Sequence, residues 1–161
     1  MIRLTVHQAL EELRQVLAER AAAGVRVFLL YDAFGFQRMP SDHRTALRDA
    51  GVVVVPFRPL QLSTLHLAQN RSHVRGIVVD GRIGWTGGFS IDDRWLGDGR
   101  ANGSWRETNV RFEGPAVRQL QAAFAAAWAE ATGTLFSGRA TVAGSEGDPA
   151  LAGLLYAAPT M

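Results

Sequence analysis

Two apolar, β-branched runs, at 25–31 and 52–55, each follow a stretch with helical character, and this alternation constrains the fold more than any other feature. Strands that alternate with helices bury their faces best in a sheet with helices layered on it. Before the first run, Val6, Leu10, Leu13 and Leu17 recur at i, i+4, i+7 and i+11, which is one face of a helix. Thr5 and Gln8 fit a capping box at its start, and Gly24 supplies its stop. The run at 25–31 then reads as a buried strand ending at Asp32. Ser41 can cap a second, short helix that Gly51 closes, and Pro56 stops the strand at 52–55.

Further along, 77–79 and 83–86 read as strands joined by Asp80-Gly81 in a hairpin. Another strand is expected at 108–112. Pro115 then opens a helix whose buried stripe is Val117, Leu120, Phe124 and Trp128. The connection at 58–72 has little periodicity, and loops of that length inside a domain are usually functional or mobile. After Gly133 the sequence loosens into Gly, Ser and Thr, as linkers do. The expected architecture is α/β and layered, a mixed β-sheet flanked by helices, with 1–133 as the domain and 134–161 as a linker.

Composition narrows the chemistry. There is no cysteine, which removes thiolate nucleophiles, disulfides and cysteine-held zinc. All 17 basic residues are arginine, so neither a Schiff-base lysine nor a phosphate-loop lysine exists. The net charge is only +2, yet 38–82 carries seven Arg against three acids and three of the four histidines. An anionic ligand near that span is plausible on charge grounds, as is a solvated basic face. No apolar stretch approaches the ~20 residues that span a bilayer, and the N-terminus lacks a signal-peptide layout. The chain alone is expected to be soluble.

The informative segment is His73-Val74-Arg75, then Asp80 after four residues, then Gly87-Gly88-Phe89-Ser90 after six more. In a strand, period-2 alternation turns His73 and Arg75 to one face. A neutral imidazole can attack phosphorus, and a neighbouring cation offsets charge on the phosphoryl oxygens. Gly87 and Gly88 would let the backbone and Ser90 come close to the same phosphate.

This segment resembles the signature of the phospholipase D superfamily, HxKxxxxDxxxxxxG(G/S)xN, at every spacing, with Arg75 in place of lysine and Ser90 in place of asparagine. Leu29-Leu30-Tyr31-Asp32-Ala33-Phe34-Gly35, Pro56-Phe57-Arg58-Pro59-Leu60, Trp105-Arg106-Glu107-Thr108 and Glu113-Gly114-Pro115-Ala116-Val117 are similar to landmarks of its bacterial cardiolipin synthase branch, in the same order. The resemblance implies a half-domain acting through phosphohistidine, with His73, Arg75, Asp80 and Glu107 as the catalytic set. Glu107 would accept a hydrogen bond from the imidazole, while Asp80 would anchor backbone or a charge. Arg75, Gly87, Gly88 and Ser90 would bind the substrate phosphate. It implies no metal and no organic cofactor. The implied partners are a phosphatidylglycerol-type phospholipid and a second motif, from another half or a second subunit. Nucleic acid is not an expected partner, and the parent enzyme would be bacterial and membrane-associated. Only one motif occurs, and the chain starts at the helix after the family's first strand, so it reads as a truncated first half.

Plainer readings stand beside these. Arg75 and Ser90 together fit a scaffold that binds without turnover, and superfamily members with one motif include homodimeric nucleases. His7 and His43 are expected to be solvated, and His66 is expected to lie outside the active-site mouth. The four tryptophans are expected to pack, and Asp92 and Asp93 to cap the segment after the glycines.

Overall fold

The computed structural model describes residues 6–33, 41–59, 74–88, 93–95, 99–100, 103–136 and 151–156, the last of these in backbone only. Among the described residues three α-helices, α1 (Val6–Ala22), α2 (Ser41–Asp49) and α3 (Pro115–Thr132), and a 3-10 turn at Asp93–Trp95 accompany six strands. The strands are β1 (Arg26–Asp32), β2 (Val53–Phe57), β3 (Gly76–Val79), β4 (Ile83–Gly87), β5 (Asn109–Glu113) and β6 (Leu151–Tyr156). They form one mixed sheet in the order β2-β1-β6-β3-β4-β5. β1 runs parallel to both β2 and β6, whereas β6–β3, β3–β4 and β4–β5 are antiparallel. The expected α/β layering is what forms.

Alternation along β1 builds two cores, because successive side chains leave opposite faces of a strand. Val27, Leu29 and Tyr31 join Leu10 of α1, Leu47 of α2, and Val52 and Val54 on one face. Leu30 joins Phe57, Phe124 and Trp128 on the other, with Phe28, Val55 and Phe136 packed against them. Trp128 is the hub of that second core. Its ring lies 5.3 Å from Phe28, 5.7 Å from Phe124 and 5.5 Å from Phe136.

Several local expectations meet corrections here. Pro56 does not stop β2 but sits inside it, opposite Tyr31. An edge strand tolerates a residue without an N–H, and β2 is the outermost strand. The fifth expected strand, at 108–112, is shifted by one residue, to Asn109–Glu113. On α3 the buried stripe includes Gln121, while Leu120 is only partly buried and fills the space that Gly76 leaves for want of a Cβ. His43 is buried rather than solvated, with Nε2 3.7 Å from Glu11 and its ring 5.9 Å from exposed His7. α2 packs its first turn onto α1, a contact that the polar sequence there gives no sign of. Glu11 is itself held by the Arg14 guanidinium, whose hydrogen bonds bring its carboxyl down to about 2.

The largest departure lies beyond Gly133. Within the span expected as linker, β6 pairs with β1 over six residues and with β3 over four. It is the seam between the parallel pair and the antiparallel hairpin. Its apolar run has no helical or strand period of its own, so only its two partners define it.

The Asp80-Gly81 turn adopts positive φ at both residues, 54° and 64°, the geometry a tight hairpin with right-handed strand twist requires. Arg82 N–H closes it on the Val79 carbonyl at 3.0 Å.

Candidate functional site

Strand directions gather one edge of the sheet. β1, β2, β4 and β6 end there, while β3 and β5 begin there. Arg75 immediately precedes β3, Gly87 ends β4 and Glu107 lies two residues ahead of β5. Sheets with parallel strands characteristically bind ligands at this carboxyl edge.

At that edge the side chains converge on the glycine pair. The Arg75 guanidinium donates a hydrogen bond to the Gly88 carbonyl. Thr86 Oγ1 donates to the Arg75 carbonyl at 2.6 Å, fixing the backbone from which the guanidinium reaches. The Glu107 carboxylate lies directly over Gly88, where a Cβ would sit 2.0 Å from Oε2. Over Gly87, a Cβ would meet the Asn109 side-chain oxygen at 2.1 Å and the Thr108 carbonyl at 2.6 Å. Neither glycine has a positive φ, so their role is room rather than backbone freedom. Each accepts one β5-side chain: Glu107 over Gly88, Asn109 over Gly87.

A cation and a carboxylate are therefore brought together on one small surface. Such a pair can offset charge on a phosphoryl oxygen and orient an imidazole donor. Glu107 is exposed and its Oε1 accepts the Thr108 N–H at 3.1 Å. Asp80 stands elsewhere. It occupies the β3–β4 turn at the opposite edge, about 17 Å along the chain direction from Arg75 at ~3.3 Å per residue. His73 and Ser90, like His66, Asp92 and Phe34-Gly35, lie outside the described residues. Among the described residues no three His, Asp or Glu side chains gather closely enough to hold a metal ion. No helix among them is long and apolar enough to cross a membrane.

The expected packing of the tryptophans is mixed. Trp128 is buried and Trp85 and Trp95 are partly so, but Trp105 is 42% exposed, edge-on to Trp95 at 5.2 Å and beneath the Arg94 guanidinium at 4.3 Å. Asn109 was absent from the sequence-based set. The signal that finds it is period 2 from Glu107 along the segment that leads into β5.

The glycine pair separates fold from function. Gly88→Ala should shift stability by no more than ~0.5 kcal/mol, because Glu107 is exposed and can swing aside. Gly87→Ala meets backbone at Thr108 and Asn109 and should cost about 1–3 kcal/mol. Urea denaturation of the two variants checks this, and equal losses would mean that the two side chains are not seated as described.

Compared with known proteins, the chain is 42% identical over 124 residues to the cardiolipin synthase of Geobacillus sp. (strain WCH70), covering 76% of this chain and 25% of that protein. It is 38% identical over 124 residues to the cardiolipin synthase of Halalkalibacterium halodurans, with the same coverages. Against cardiolipin synthase A of Pseudomonas putida (strain KT2440) the identity is 39% over 121 residues, 74% of this chain and 25% of that one. The chain thus spans about a quarter of the length of the curated relatives it matches. No family model matches it, and neither does any solved structure.

Proposed function

Because the chain is a cardiolipin synthase-like member of the phospholipase D superfamily, we propose that it is the first half-domain of a two-motif enzyme that transfers phosphatidyl groups between lipid hydroxyls. The substrate class is a phosphatidylglycerol-type phospholipid at a membrane surface. His73 is the nucleophile. Its imidazole nitrogen bonds to phosphorus as the bond to the leaving alkoxide breaks, and the second motif's histidine protonates that alkoxide. A lipid hydroxyl then attacks phosphorus, gives its proton to the same histidine and releases His73. Arg75 offsets the oxyanion charge, Glu107 holds the imidazole tautomer, and Gly87 and Gly88 admit the headgroup. Ser90 donates one hydrogen bond where an amide could donate two.

The observation that carries this reading is the meeting of Arg75 and Glu107 at Gly88 on the carboxyl edge of the sheet. The test joins the chain to the second half of a relative and supplies phosphatidylglycerol vesicles. A phosphorus-31 signal of phosphohistidine, lost in His73→Asn, and formation of a diphosphatidyl product are expected. Absence of both with the joined protein folded, and no rescue by Arg75→Lys with Ser90→Asn, would sink the proposal.

One observation favours a second reading. Arg75 and Ser90 stand where the resembled motif has lysine and asparagine, which suits a site that binds a phosphate without turning it over. In that case phosphate analogues bind while no adduct forms on His73 in the joined protein.

A further inference from the structure

We propose that Asn109 is an oxyanion-binding residue of this site, donating from its carboxamide to a phosphoryl oxygen. This deepens the reading above and rests on it. Three observations carry the inference. The β3–β4 and β4–β5 registers pair Gly76 with Thr86 and Gly87 with Asn109, so Arg75, Gly87 and Asn109 share one cross-strand row. Residues in one row point to the same face, and Glu107, two residues before Asn109, points that way too. The Asn109 carboxamide oxygen lies against Gly87 at the point a Cβ would fill, one residue from where Glu107 covers Gly88, which leaves the two N–H donors on the other arm of the amide. Finally, Asn109 is exposed, and none of the described residues hydrogen-bonds its carboxamide.

The chemistry of an amide suits this place. It brings two N–H donors without charge, so it draws a phosphate oxygen inward without pairing off Glu107. A second cation there would compete with Arg75 for Glu107, and a second carboxylate would repel the ligand. The ligand class is a tetrahedral oxyanion: the phosphoryl group of a phosphodiester, or inorganic analogues of it. Ser90, a hydroxyl at the amide position of the resembled motif, leaves a donor short. Asn109 supplies one from β5.

The test titrates the full chain with tungstate and measures affinity by calorimetry. It also follows the Asn109 side-chain amide by nitrogen-15 NMR in the unmutated protein. Loss of one net hydrogen bond predicts about fivefold weaker binding for Asn109→Ala. Asn109→Asp, isosteric but anionic, should weaken it further, to roughly tenfold or more. The amide resonance should move on saturation. Wild-type affinity in both variants with an unmoved amide would overturn the role of Asn109 while Arg75→Ala still weakens binding. If tungstate binds nowhere, or Arg75→Ala leaves affinity unchanged, the site reading falls and this inference falls with it. Circular dichroism of each variant separates lost binding from lost fold.

Discussion

Gly153→Pro is expected to split the sheet. Gly153 lies in the middle of β6, opposite Phe28 of β1 and Val78 of β3. Proline removes an N–H from a strand that has a partner on either side, and its ring cannot fit the ladder. The orphaned acceptor alone costs about 1–3 kcal/mol, a large fraction of the ~5–15 kcal/mol that holds a domain together. Among the described residues α3 would still link the two halves of the sheet, since it touches β2 on one side and β3, β4 and β5 on the other. Because Arg75 enters β3 from this edge, the loss should reach the candidate site as well. Amide exchange reads it directly: Phe28, Leu29 and Val78 should lose protection, with a lower urea midpoint. Unchanged exchange at those amides would mean that β6 is not the seam.

A larger loss in free energy is expected from Trp128→Ala, about 3–5 kcal/mol. Trp128 is 6% exposed and meets Phe28, Phe124 and Phe136, so truncation leaves a cavity bounded by three rings that cannot all collapse into it. It also releases α3 from β1, since Phe28 stands on that strand. Leu135→Ala, at a residue 82% exposed, serves as the neutral comparison and should stay within ~0.5 kcal/mol. Urea unfolding of the pair decides the matter. A difference under ~1 kcal/mol would show that the aromatic cluster is not what fastens the helix to the sheet.

The two effects differ in kind, and so did their visibility. Trp128 was legible, because Val117, Phe124 and Trp128 fall on one helical stripe and a stripe has to be buried. β6 was not, because its apolar run follows a Gly- and Ser-rich span and carries no period that marks a strand. His43 sat in a polar helix start that looked solvated, and only α1 crossing over α2 buried it. At the site, the spacing from Arg75 to Gly87-Gly88 and the resemblance that includes Glu107 pointed to one locus. The strands bring Arg75 and Glu107 there, and leave Asp80 at the far edge.

Residue pattern by itself determined the types of the three helices and of β1 to β5, the hairpin at Asp80-Gly81, most of the α3 stripe and the kinship with cardiolipin synthases. These are properties of neighbours along the chain, where propensity and period act directly. Tertiary structure alone decided the strand order, the insertion of β6 between β1 and β3, and the seating of Glu107 and Asn109 over adjacent glycines. Those depend on which backbone edge finds which partner, a choice made by burial and hydrogen bonding between segments far apart in sequence.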